Sequence, residues 1–134
     1  MKGKTSPGKG MSAEECVKRA EKIISEKGIC LLLFDAVNST GSKNRKALNL
    51  RLSEFMEDAN SKFREYFPEH NLAAAARTER GFRYLLGDSS WTGINSARAI
   101  HEIIDYQIRN YPDLPLYWGV AEDGYDDMAA RIAK

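Results

Sequence analysis

Two aspartates, Asp35 and Asp88, have the surroundings that best suit catalysis in this sequence. Asp35 directly follows the apolar run from Ile29 to Phe34, and an ionised carboxylate at the end of a buried strand is costly to desolvate unless a partner neutralises it. Asp88 follows Gly87 in a short turn between two strand-like segments. Converging carboxylates could hold one or two Mg²⁺ ions, which prefer oxygen ligands and often retain substrate phosphates. The pair therefore predicts a metal site; the alternative is that each aspartate only caps a helix or forms a turn.

The turn that follows Asp35 is suited to binding phosphate. It leads into a helix N-terminus, where free backbone amides and the helix dipole favour an anion. Gly87 would let the backbone approach a ligand closely. The small and polar residues of the turn are Asn38, Ser39, Thr40 and Gly41.

Hydrophobic periodicity predicts the elements that position these residues. Ser12 and Glu15 form a capping-box pattern in front of a helix over 13–27. The continuous apolar run 29–34 is typical of a central strand that is buried on both faces. The polar segment that begins with Asp35 is predicted to be a turn, because it is rich in turn-forming residues.

A long amphipathic helix follows this turn, and Pro68 ends it. Its apolar stripe consists of Leu48, Leu52, Phe55, Met56, Ala59, Phe63, Tyr66 and Phe67. The later predicted elements are a helix over 71–80, strands over 82–86 and 90–94, a helix with its apolar stripe at Ala97, Ile100, Ile104 and Ile108, a strand over 114–121 and a short helix over 126–134. This order predicts an α+β, ferredoxin-like domain: a four-stranded, mainly antiparallel sheet with helices on one face, plus an N-terminal helix.

The composition of the chain excludes several classes of protein. Its 134 residues, 43% of them hydrophobic and 29% charged, predict one soluble globular domain. Twenty basic and nineteen acidic residues leave a net charge of +1, whereas a nucleic-acid surface or a polybasic membrane tether usually needs a basic excess. We therefore expect no dedicated nucleic-acid surface and no membrane attachment. A small anionic ligand remains compatible with this charge.

The N-terminal region and the cysteines predict where the protein works. Residues 1–11 are rich in Lys, Gly and Ser and are predicted to be a flexible tail in front of a single domain over 12–134. The longest apolar run, 29–34, is far shorter than the ~20 residues of a membrane span. Without a secretory signal, Cys16 and Cys30 are expected to be reduced and packed as small hydrophobic side chains, with a disulfide as the alternative. Together these features predict a cytoplasmic protein.

Two short strings in this sequence resemble the metal-binding motifs of class III adenylate and guanylate cyclases. The string from Phe34 to Thr40 is similar to the first motif, and residues 86–88 (Leu-Gly-Asp) are similar to the second. Residues 119–121 (Gly-Val-Ala) resemble a strand of the GGDEF diguanylate cyclases, which share a superfamily with the palm domains of CRISPR polymerases. The resemblance covers about residues 29–134 and implies a palm domain.

The resemblance implies a mechanism based on two metal ions. Asp35 and Asp88, with the carbonyl of Ala36, would hold two Mg²⁺ or Mn²⁺ ions against the triphosphate of a purine nucleoside triphosphate. The ions would assist attack of a ribose 3′-hydroxyl on the α-phosphate, mainly by positioning and by neutralising charge. The backbone amides of residues 38–40 would cradle the distal phosphates.

The C-terminal helix can be aligned with this superfamily in two ways. In one alignment it resembles the terminal helix of GGDEF domains, and Lys134 contacts phosphate. In the other, residues 127–131 (Asp-Met-Ala-Ala-Arg) resemble a cyclase motif, and Arg131 stabilises the transition state from a partner subunit of a homodimer. The two alignments assign incompatible roles, and the sequence leaves both open.

The implied activity is that of a divalent-metal-dependent nucleotidyl cyclase or nucleotidyltransferase, which forms a phosphodiester and releases pyrophosphate. Three positions depart from the families. Asn38 replaces a usual glycine, Tyr84 replaces a base-selecting Lys or Glu, and no second acidic residue follows Asp88. The choice between ATP and GTP therefore stays open. The alternative function is a catalytically degenerate nucleotide-binding sensor or dimerisation module, and a phosphohydrolase with the same metal pair is a third possibility.

Overall fold

The structure of this chain is a computed structural model that describes residues 10–37, 45–68, 81–86 and 89–122. Its elements are α1 (Ala13–Lys27), β1 (Cys30–Ala36), α2 (Arg45–Lys62), β2 (Arg83–Leu86), β3 (Ser89–Ile94), α3 (Ala97–Asn110) and β4 (Leu116–Ala121), with a short 3₁₀ turn over Arg64–Tyr66. The predicted α+β class is confirmed, because helices and antiparallel strands occur together. None of the described helices is both long and apolar enough to cross a lipid bilayer.

The N-terminal helix α1 forms as its local signals predict. The Ser12 hydroxyl accepts a hydrogen bond from the Glu15 amide at 3.1 Å, and the Ser12 amide donates to the Glu15 carboxylate at 2.8 Å. Gly28 ends the helix with a left-handed φ of 85°, and its amide donates to the Ile24 carbonyl at 2.7 Å. A left-handed residue at this position favours glycine. The reciprocal cap and the glycine therefore fix both ends of α1.

The strands form one sheet in the order β2-β3-β1-β4, and all neighbours are antiparallel. This order confirms the central position predicted for β1. The prediction that the strand ends at Phe34 was wrong, because β1 continues through Asp35 and Ala36. Asp35 pairs with Ser89 on one side and with Tyr117 on the other. The backbone pairing on both sides of β1 outweighs the local preference of aspartate for turns.

The core lies between one face of this sheet and the described helices. Alternate residues of β1 enter it: Cys30, Leu32, Phe34 and Ala36. The Phe34 ring is central to the core, with centroid distances of 5.6 Å to Phe55 on α2, 5.0 Å to Phe82 and 5.2 Å to Trp118 on β4. Because side chains alternate along a strand, Leu31, Leu33 and Asp35 belong to the opposite face.

The outermost part of the predicted stripe on α3 is not buried. Ala99, Ile100 and Ile104 lie in the core as expected for this face. Ile108 was expected to be buried but is 59% exposed. The reason is that Gln107 takes the buried position of that turn, where its amide donates to the Leu114 carbonyl at 2.5 Å.

A polar cluster joins α2, α3 and the loop in front of β4. The Asp58 carboxylate accepts hydrogen bonds from the Tyr106 hydroxyl at 2.6 Å and from the Tyr111 hydroxyl at 2.8 Å. The Arg51 guanidinium makes two hydrogen bonds to Asp113, at 2.8 and 2.7 Å, and lies 4.7 Å from the centroid of the Tyr111 ring. These contacts fix α2 and α3 relative to the loop in front of β4.

Raising the pH above 10 is expected to destabilise the fold through Tyr111. Burial, reinforced by the hydrogen bond to Asp58, raises the pKa of Tyr111 from 10.0 to about 12. The resulting stabilisation is complete below the pKa of the unfolded chain and is lost as the pH rises through the folded pKa. We expect the free energy of unfolding to fall by on the order of 2 kcal/mol across this window. Urea unfolding at a series of pH values measures it, with Tyr111→Phe as the control that lacks the ionisable phenol; equal pH dependence of the two proteins would contradict the assignment.

Both cysteines are free and buried in the core, as the sequence predicts for reduced thiols. Burial raises the pKa of the Cys16 and Cys30 thiols from 9.0 to about 12. A raised pKa disfavours the thiolate, which is the reactive form, and both side chains contribute to packing of the core.

Candidate functional site

Asp35 lies near the end of β1, on the sheet face opposite the core. Its Cα partners are Ser89 at the start of β3 and Tyr117 near the start of β4. The residue is partly exposed, while its Oδ1 atom is shielded from solvent. A carboxylate oxygen in such a position is a hard donor of the kind that divalent cations prefer. The metal-binding role of Asp35 stays a prediction.

Asp88 itself lies outside the described residues, but its chain neighbour is placed. Ser89 follows Asp88 directly and pairs with Asp35. In the pairing of β1 with β3, the residue that directly follows Asp88 therefore lies opposite Asp35. Ala36, the third predicted ligand, pairs with Leu116 and has a buried side chain. Its successor Val37 donates its amide to the Pro115 carbonyl at 3.1 Å.

The other predicted site residues cannot be located in this structure, since they lie outside the described residues. They are Asn38, Ser39, Thr40 and Gly87 on either side of the metal pair, and Arg131 and Lys134 in the C-terminal segment. Their phosphate-binding and charge-neutralising roles stay predictions. The predicted helices over 71–80 and 126–134 lie outside the described residues as well.

A register shift that was not predicted from the sequence lies between Tyr84 and Leu86, close to Gly87 and Asp88 along the chain. Tyr84 pairs with Ser90, whereas Leu86 pairs with Ser89, so β2 has one residue more than β3 at this point. A bulge of this kind bends the strand and increases its twist, and bulges are frequent beside active sites. The register shift therefore lies at the end of β2, immediately before Gly87 in the sequence.

The sheet face around Asp35 combines large and very small residues. Leu33 pairs with Trp91 on β3 and with Gly119 on β4, while Trp91 is only 3% exposed. Among the residues that the structure describes, a Cβ atom added at Gly119 would meet no heavy atom within 4 Å. The low exposure of Trp91 shows that this side chain is packed against other residues. Nothing in the sequence had singled out the glycine opposite Leu33. The alternation of side chains along β4 is the signal that could have found it.

No complete metal centre is present among the residues that the structure describes. In this part of the chain, no group of three or more His, Cys, Asp or Glu side chains could hold a metal ion. A surface groove of 680 Å³ lies between α1 and α3. Asp35 is not among the residues that line it. Its lining mixes both charge signs and comprises Glu14, Val17, Lys18, Glu21, Arg98, His101 and Glu102. His101 is exposed there.

The end of β1 thus offers one placed carboxylate, that of Asp35, whose strand partner Ser89 directly follows Asp88 in the sequence. Carboxylates are among the parts from which a site for a metal-bound phosphate ester can be built. We compared the chain with models of known protein families, with curated proteins and with solved structures, and none of them matches it.

Proposed function

We propose that this chain is a divalent-metal-dependent nucleotidyl cyclase-like or nucleotidyltransferase-like domain that acts on a purine nucleoside triphosphate. The observation that carries the proposal is the antiparallel register of β1 and β3, in which Asp35 pairs with Ser89, the residue next to Asp88. Two carboxylates that converge at one end of a sheet would supply the oxygen ligands that Mg²⁺ or Mn²⁺ prefers. Formation of a phosphodiester with release of pyrophosphate is the reaction that such a site would serve.

The proposed complete fold is a ferredoxin-like palm with four strands and an additional N-terminal helix. The order β2-β3-β1-β4 supports it. In this order a β2–β3 hairpin is joined to the rest of the sheet by connections that contain α2 and α3, which is the βαββαβ arrangement of that fold. Asp35 belongs to the face of β1 opposite the described helices. Leu31 and Trp91 are nearly fully buried on that face, so substrate would approach at the end of β1, where Asp35 lies.

Each residue of the proposed site has a specific task. Asp35, Asp88 and the carbonyl of Ala36 hold the metal ions, which supply charge neutralisation and alignment when bound. The backbone amides of residues 38–40 bind the distal phosphates at the start of a helix. Either Lys134 of the same chain or Arg131 of a second copy neutralises the charge that develops on the phosphates. The second assignment requires a homodimer, and the first does not.

A catalytically degenerate nucleotide-binding sensor or dimerisation module is the second candidate function. The acidic content of the hairpin favours it, because Asp88 is followed by Ser89 and Ser90 and not by another carboxylate. With fewer acidic ligands a site can retain nucleotide and still fail to align the reacting hydroxyl. Nucleotide would then act only by stabilising the folded chain.

Incubation of the purified chain with ATP or GTP and Mn²⁺, followed by mass spectrometry, tests the proposal. We expect a cyclic or linear phosphodiester product from one of the two nucleotides, together with pyrophosphate. The thermal stability of the chain is measured in parallel, because a ligand at a hundredfold excess over its Kd stabilises a protein by about 2.7 kcal/mol. Stabilisation without product would select the sensor, release of phosphate without a phosphodiester would indicate a phosphohydrolase, and neither effect would reject the nucleotide site altogether.

A further inference from the structure

The outer edge of β4 is closed by groups that do not belong to any strand. β4 is the last strand of the sheet, and β1 pairs with its inner side. On the outer side, the Trp118 carbonyl accepts a hydrogen bond from the Met11 amide at 2.7 Å. The Val120 carbonyl, two residues further on, accepts one from Arg19 Nε at 2.9 Å. Both outward carbonyls between Tyr117 and Ala121 are therefore occupied from within the same chain.

The contact with Trp118 depends on a glycine. Gly10 has a left-handed φ of 72°, and a Cβ atom added there would lie 2.9 Å from both the backbone nitrogen and the backbone oxygen of Trp118. Such a distance is shorter than a carbon atom tolerates against backbone, so a side chain at Gly10 would push the segment away from β4. Gly10 and Met11, which the sequence placed in the flexible tail, thus lie directly against the sheet.

The edge beneath these groups is complementary to itself. In an antiparallel strand the amide and the carbonyl of one residue point to the same side, so Trp118 and Val120 each direct both groups outward. A two-fold axis through Gly119 would set Trp118 opposite Val120 of the partner subunit, with reciprocal hydrogen bonds. Gly119 adds no side chain at that axis. Exposed strand edges of this kind pair readily with one another, and natural proteins cover them.

We propose that Gly10–Ser12 and Arg19 form a removable cover over the outer edge of β4, and that its displacement lets a second copy of this chain extend the sheet by antiparallel β4–β4 pairing about Gly119. Among the described residues, one backbone hydrogen bond from Met11 and one side-chain hydrogen bond from Arg19 hold this cover on the edge, and Met11 also packs against the core. The proposal concerns assembly and does not depend on the nucleotide chemistry proposed above.

A variant that combines Gly10→Val with Arg19→Ala opens the edge and tests the proposal. Light scattering after size-exclusion chromatography should show a molar mass that rises about twofold with protein concentration, as an isologous dimer requires. The wild type should change less over the same range. Hydrogen exchange at the amides of Trp118 and Val120 should slow as the dimer forms, because those amides become bonded to the partner.

Two control variants match the chemical changes without touching β4. Gly28→Val places a side chain at a left-handed glycine that has open space around it, and Arg109→Ala removes an exposed arginine that pairs with Asp105. Neither should gain a dimer: Arg109→Ala should behave as the wild type, and Gly28→Val should lose some stability, because a left-handed φ disfavours valine, but stay monomeric. If the double variant fails to fold, Arg19→Ala alone, which keeps the N-terminal contact, should still raise the dimer fraction. A molar mass independent of concentration, or a dimer in which the Trp118 and Val120 amides exchange as fast as in the monomer, would overturn the proposal.

Discussion

Asp35→Asn should abolish the metal-dependent binding of nucleotide while leaving the fold intact. Asparagine has nearly the shape of aspartate, but it is neutral and cannot supply the charge that a divalent cation requires. At a hundredfold excess of nucleotide over the wild-type Kd, we expect the variant to lose essentially all of a stabilisation of about 2.7 kcal/mol. Any phosphodiester product should disappear with it. Thermal unfolding with and without nucleotide and Mn²⁺ measures the first effect, and mass spectrometry measures the second.

Glu57→Gln is the matched control for this experiment. Glu57 is an exposed carboxylate of α2, so the change removes one negative charge without touching the end of β1. The control should keep the full response to nucleotide. An unchanged response in Asp35→Asn would mean that the nucleotide binds elsewhere, and the proposed site would have to be abandoned.

Phe34→Ala should be the most damaging single substitution in the core. The Phe34 side chain is 2% exposed and its ring contacts those of Phe55, Phe82 and Trp118. Removal of a buried phenylalanine costs about 3–5 kcal/mol, since the lost transfer energy adds to the energy of the cavity. Domains of this size are stable by only about 5–15 kcal/mol, so the variant should be close to unfolding. Urea denaturation followed by tryptophan fluorescence measures the loss.

Leu50→Ala provides the comparison on the surface. Leu50 is 63% exposed on α2, and substitutions at such positions usually change stability by less than about 0.5 kcal/mol. Phe34→Leu should fall between the two, because leucine refills part of the cavity. If Phe34→Ala cost no more than Leu50→Ala, the aromatic cluster around β1 could not be the centre of the core.

The sequence predicted best those elements whose limits depend on nearby residues. The ends of α1 at Ala13 and Lys27 follow from Ser12, Glu15 and Gly28, which all act within one helical turn. The central position of β1 was likewise predicted from its continuous apolar run, but a run that is apolar at every position does not show which alternate residues face the helices. Hydrophobic periodicity does not show where along a helix the buried face ends. For this reason Ile108 on α3 was predicted to be buried, although it is exposed.

Contacts between distant parts of the chain account for what the sequence missed. Asp35 and Ala36 belong to β1 only because β3 and β4 pair with them. Likewise, nothing near Gly10 indicates that it lies against Trp118, which is far along the chain. At the candidate site, β1 and the hairpin strand β3 are adjacent in the sheet, with Asp35 opposite Ser89. The roles assigned to the residues beyond this register stay predictions.

The position of β1 has a consequence for the synthesis of the protein. Leu31 pairs with Gly93 on one side and with Ala121 on the other, so both partners of the central strand are translated long after it. During that interval the apolar strand leaves the ribosome with two unsatisfied backbone edges, and such edges favour pairing between nascent chains. A chain that ends before Leu116 would lack β4 and would leave that side of β1 without its strand partner.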